Sequence, residues 1–134
     1  MVSTAQSTAP HREHRGPLVL VVPPFGGGHT EHLPENPAAM LSRLNGLVGG
    51  YIEAIAKSGG DWVAYINEEG KLHGLPFNTQ ADAMARALGF PFMDGDHLVG
   101  TVVFLGRAPG DPDEHDVPEH VLVMARAAGV LDHD

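Results

Sequence analysis

The sequence predicts an α+β domain: a small sheet of about four mostly antiparallel strands with helices on one face, in the order β-α-β-β-α-β-α. Three observations predict it. Residues 18–22 and 98–105 are continuous runs rich in branched apolar side chains, as in buried strands. Apolar residues recur at helical spacing in three separate segments. Between them, 51–73 consists of short strand-like pieces divided by Gly- and Asp-containing turns, the pattern of an antiparallel meander.

In chain order, residues 1–15 hold Ser, Thr, Ala and Gln with almost no large apolar residue, which predicts a disordered tail ahead of one domain over 16–134. Leu18 to Val22 reads as a strand buried on both faces near the sheet centre, stopped by Pro23 and Pro24. The glycines and prolines of 25–37 predict a loop. Asn36 has the chemistry of an N-cap and Pro37 of a first-turn residue, so a helix is expected over about 37–45, ending near Gly46. Strands are expected at 51–55 and 62–66, with Gly70 as a left-handed turn residue and the chain resuming as strand at Lys71 to His73. Asn78 or Thr79 can cap a second helix that Gly89 ends. After the strand 98–105, Pro109 to Glu114 reads as an acidic loop. Asp116, Pro118 and Glu119 form a capping-box pattern for a last helix, whose buried stripe is Val117, Val121, Met124, Ala125 and Ala128.

A length of 134 residues suits one domain, and no apolar run approaches the roughly 20 residues that span a bilayer. The N-terminal residues lack the apolar core of a secretory signal. The absence of cysteine removes disulfides, thiolate metal sites and cysteine nucleophiles, and fits a reducing cytoplasm. The net charge is −9, and residues 94–134 hold nine acids against Arg107 and Arg126. Such a surface repels phosphate backbones, which argues against direct nucleic-acid binding; it serves solubility or, in the sharper reading, attracts a basic partner.

No motif carries a recognisable chemistry. Phe25-Gly26-Gly27-Gly28-His29 lacks the lysine of a phosphate loop and does not open directly into a helix as a dinucleotide fingerprint does. His29 and His32 stand three apart on a predicted loop, without the helical spacing of a zinc protease or two further ligands, so no metal is expected. Asp94-Gly95-Asp96 reads as a turn whose side chains bond their own backbone. Counting from Asp111, the glycine and glutamate positions of a calcium loop fall on Asp116 and Leu122, so that pattern fails. Ser3, Ser7, Ser42 and Ser58 lie in no nucleophile elbow. Trp62, Tyr51 and Tyr65 sit on predicted strands, where aromatics are expected in the core.

Four segments carry a resemblance: Leu47 to Glu53, Tyr65 to Leu72, Gly74 to Asn78, and Leu98 to Gly106. In that order, with Asn-Glu-Glu-Gly-Lys-Leu followed by Leu-Pro-x-Asn, they resemble a family of short uncharacterised proteins found in bacteria, notably actinobacteria, and on their plasmids and phages. The resemblance covers roughly 17–129. It implies an intracellular, mobile-element-associated protein and supplies no catalytic residue and no cofactor. The leading expectation is therefore a non-enzymatic accessory or regulatory protein. It would bind a protein partner, basic in character, through Asp111, Asp113, Glu114 and Asp116. Two alternatives are a small-ligand domain or enzyme built from loop 24–32 and residues 75–78, with Phe25, His29, Asn78 and His97 as its candidate residues, and a nucleic-acid mimic. Neither a membrane nor a defined oligomeric state is implied.

Overall fold

Leu18 to Val22 forms the middle of the first strand, and its two alternating sets of side chains fix the architecture. The computed structural model describes residues 15–132. The predicted tail lies outside them except for Arg15, which already belongs to β1, Arg15–Val22. The other strands are β2 His29–Pro34, β3 Ile52–Ile55, β4 Trp62–Asn67, β5 Val102–Ala108 and β6 Asp111–His115. They form one antiparallel sheet in the order β2-β1-β5-β4-β3, with β6 paired to β5. The helices are α1 Pro37–Val48, α2 Thr79–Ala87 and α3 Glu119–Ala127. The α+β class, the antiparallel sheet and the three helices stand as expected, while the sheet has six strands rather than about four.

The helices lie on both faces, not one. Leu20, Val22, Trp62, Ala64, Val102 and Phe104 join the buried side chains of α2 and α3 in one core. Val19, Val21, Val63, Val103 and Leu105 point the other way and pack with Leu33, Leu44 and Val48. A strand apolar at every position exposes two apolar faces, and each needs cover.

Both additional strands are polar edge elements. β2 was expected as loop, yet it pairs with β1 from Leu18↔His32 to Val21↔His29. β6 was expected as acidic loop. It folds back on β5 through Ala108↔Asp111 and Gly106↔His115, and its Pro112 is tolerated because only one side of the strand is paired. Gly106 permits the crossing: a Cβ there would lie 2.1 Å from the Asp116 carbonyl oxygen.

Several boundaries moved for identifiable reasons. α1 begins as expected, with the Asn36 carboxamide accepting from the Ala39 N–H at 3.0 Å and Pro37 in the first turn, but it runs through Gly46 and ends at Gly49, whose φ is 79°. Residues 71–73 are turn rather than strand. Gly70 is not left-handed; it is small because a Cβ would stand 2.9 Å from Val99 Cγ2. Residues 98–101 precede β5, and Val99 makes an isolated bridge with Phe77. The capping box at α3 does not form. Pro118 is the N-cap residue without a side-chain bond, and the Asp116 carboxylate accepts from the Leu18 N–H at 2.8 Å. On α3, Val121, Leu122 and Ala125 are buried, while Ala128, the C-cap residue just past its end, is exposed. Trp62 is core as expected, while Tyr51 is 76% exposed.

A carboxylate fastens α1 to the edge strand. Glu31 accepts from Arg43 Nε at 2.8 Å and from Arg43 Nη2 at 2.9 Å, and His29 Nε2 lies 2.8 Å from the same carboxylate. The Arg43 guanidinium, with help from His29, holds the Glu31 carboxyl at about 2, well below its ordinary 4.5. A lowered folded-state pKa contributes stability that is present above pH 4.5 and lost as pH falls toward 2. Thermal melts across that range should show a shallower acid limb for Glu31→Gln than for the parent. Superimposable limbs would mean that the pair adds nothing to acid stability.

Candidate functional site

The pairing of β6 with β5 creates a cleft on the α1 face of the sheet. Met40, Leu41 and Leu44 of α1 form one wall, Asp113 to Asp116 the other, and Ile52 and Tyr65 lie between them in a cleft of about 960 Å³. Arg15 to Pro17 and Glu35 also line it. Helical spacing turns the three α1 side chains toward the sheet, and Leu41 remains 49% exposed.

Several acids elsewhere in the fold are matched by an Arg or Lys, and those of this lining are not. Glu31 is paired with Arg43, Asp82 with Arg86, Asp96 with Lys71 and Glu119 with Arg126. Among the described residues, Glu35, Asp113, Glu114 and Asp116 make no ion pair, and Arg15 is the only Lys or Arg lining the cleft. Four carboxylates without an ion-pair partner thus border an apolar floor.

Tyr65 joins floor to wall. Its hydroxyl donates to Glu114 Oε2 at 3.0 Å. Burial first, and then the neighbouring Glu114 charge and hydrogen bond, push the phenol up to about 12. At neutral pH it is a hydrogen-bond donor and not a base.

Of the four acids expected to meet a partner, Asp113, Glu114 and Asp116 line the cleft and Asp111 does not. Asp111 organises the hairpin: its carboxylate accepts from the Asp113 N–H at 2.9 Å and contacts His115 Nε2 at 2.9 Å, and these bonds lower its pKa. Asp116 both borders the cleft and anchors β1 through the Leu18 N–H.

The four candidate ligand residues are not brought together. Phe25 is 74% exposed at the tip of the 23–28 loop. His29 is spent on Glu31 at the sheet edge, and His32 Nδ1 lies 3.0 Å from the Gly16 carbonyl oxygen. Asn78 is fully buried. Its amide donates to the Val22 and Gly100 carbonyls at 2.9 and 2.8 Å, and its oxygen caps α2 by accepting from the Ala81 N–H at 2.9 Å. His97 borders a separate cavity and stands edge-on to Phe77, with ring centroids 4.8 Å apart. Asp94-Gly95-Asp96 is a turn, with the Asp96 carboxylate accepting from the His97 N–H. Among the described residues, no group of three His, Asp or Glu is placed to hold a metal ion, and no helix is long and apolar enough to cross a membrane.

Sequence reasoning missed Arg15, Glu35, Met40, Leu41 and Tyr65 as parts of one site. Tyr65 was expected in the core, and the others carry no local signal of convergence. Only the strand pairing assembles them.

Fold and cleft define the class: a small α+β domain with a six-stranded antiparallel sheet and an open, acid-rimmed cleft. A family model described as a domain of unknown function, DUF3846, matches residues 14–128, and the chain belongs to that family. Comparison with curated proteins and with solved structures finds no match.

Proposed function

We propose that this chain is a non-enzymatic accessory or regulatory protein that holds a basic segment of a protein partner in the cleft between α1 and β6. The observation that supports this reading is the set of carboxylates without ion pairs, Glu35, Asp113, Glu114 and Asp116, around the apolar side chains of Met40, Leu41, Ile52 and Tyr65. Lys and Arg match such a surface with an apolar stem and a cationic head. Like charges held close repel in the free protein, and a cationic partner relieves that repulsion and is steered toward the cleft. Duplex nucleic acid meets the opposite force. Action in the cytoplasm, and carriage by actinobacteria, their plasmids or phages, follow from the resemblance and belong to the same proposal.

The test begins with a partner recovered by affinity capture from the native host and continues with purified components. A Glu35→Gln, Asp113→Asn, Glu114→Gln variant retains polar side chains, including an acceptor for Tyr65. It should bind the partner about tenfold or more weakly at low salt, mainly through slower association, with a flatter salt dependence. Equal affinity and an unchanged salt slope would remove the cleft from the interaction. Competition by duplex DNA for the same partner would identify the cleft as a mimic of nucleic acid.

A further inference from the structure

A second cavity, of about 380 Å³, opens on the other face of the sheet between the β3–β4 hairpin and residues 90–99. Ile55 and Ile66 pack there against the α2–α3 core, with Phe90 and Phe92 beside them. Glu53 is the register partner of Ile66 and shares its face, while Glu68 lies just beyond the end of β4. Neither glutamate side chain has an ion pair or hydrogen-bond partner among the described residues. The one lysine of this lining, Lys71, is occupied by Asp96, and their ion pair joins the two loops that flank the opening.

The wall is built by close packing. A Cβ on Gly70 would meet Val99 Cγ2 at 2.9 Å, and one on Gly100 would meet Leu75 Cδ1 at 2.8 Å, so the 70–75 turn sits directly against 99–100. Leu72 and Met93 stand at the opening, 83% and 80% exposed. The volume falls within the roughly 300–1,000 Å³ range of small-molecule sites, and the combination of apolar lining with a few polar groups is the usual one. Strand addition at β3 is poorly served, because the Ile52 N–H is already taken by the Asn45 side-chain oxygen at 3.2 Å.

We infer that this cavity binds a small apolar amine, with its ring or short alkyl body against Ile55, Ile66 and Phe90 and its ammonium group between Glu53 and Glu68. Two unpaired carboxylates beside an engaged lysine favour a cation and disfavour an anion. This site is separate from the acidic cleft and does not depend on the partner reading.

The probe is 1-naphthylmethylamine, protonated at neutral pH, with its N-acetyl derivative as the uncharged control; binding is read by calorimetry and probe fluorescence. The full chain should show one saturable site for the amine. Glu53→Gln with Glu68→Gln should weaken the amine about tenfold and leave the acetamide unchanged. Ile55→Trp should fill the cavity and abolish both. The Glu35→Gln, Asp113→Asn, Glu114→Gln variant should bind the amine as the parent does, which separates this cavity from the cleft. Absence of saturable binding, equal affinity for amine and acetamide, retention by a folded Ile55→Trp variant, or loss in the cleft variant would each overturn the inference. Should Ile55→Trp fail to fold, the glutamate pair decides alone.

Discussion

A Val121→Asp chain is expected to be largely unfolded at room temperature. Val121 is 0% exposed and belongs to the core that α2 and α3 form with Leu20, Trp62 and Phe104. An aspartate there must either ionise without a partner or bury a neutral carboxyl among hydrocarbon groups. Such burial costs several kcal/mol, about the size of a small domain's whole stability of ~5–15 kcal/mol. Far-UV circular dichroism and urea titration should show loss of the cooperative transition or a midpoint far below the parent's. A variant with the parent's melting temperature would place that face of α3 in solvent and overturn the packing described.

Asn78→Leu is expected to destabilise the fold by about 3 kcal/mol or more, although the number and branching of side-chain heavy atoms are kept. The asparagine satisfies three main-chain groups at once: the Val22 carbonyl, the Gly100 carbonyl and the Ala81 N–H. Leucine would strand all three, and each unsatisfied buried group costs roughly 1–3 kcal/mol. Asn78→Asp keeps the cap on Ala81 but turns a carboxylate oxygen toward two carbonyls, so it should not rescue. Urea unfolding with the m-value held constant measures both. A loss below about 1 kcal/mol for the leucine variant would mean that water or backbone shifts replace the bonds.

Asn78 also shows which part of the structure could be read in advance. Its role as a helix cap depends on a residue three positions away and was legible. Its grip on Val22 and Gly100 depends on chain returning from far along the sequence, and nothing local encodes it. The strand at 18–22 was legible, as was its burial on both faces. That reading already required cover on both sides, so placing every helix on one face conflicted with it; the alternation of Val19 and Val21 against Leu20 and Val22 resolves the conflict. β2 and β6 were missed because His-Thr-Glu-His-Leu-Pro and Asp-Pro-Asp-Glu-His have no apolar alternation. Their strand character comes from the backbones of β1 and β5. At Asp116 a local rule failed because the Leu18 N–H competed successfully for the carboxylate. The acidic cluster was visible in the sequence; the cleft was not, since Glu35, Met40 and Tyr65 join it only through tertiary pairing.

The place of β5 in the sheet governs the order in which this chain can become folded. β5 lies between β1 and β4, with Leu20 opposite Phe104 and Val63 opposite Leu105. The β1–β2 and β3–β4 pairs close over short loops, and each can form early. Yet both cores draw on β5, through Val102 and Phe104 on one face and Val103 and Leu105 on the other. During synthesis the two hairpins therefore wait, each with one apolar strand edge open, until β5 leaves the ribosome. Loop-closure entropy makes such distant pairing slow, and open edges are templates for association with other chains. The interval before β5 inserts is the stage at which this protein is most exposed to aggregation and has the most to gain from a chaperone.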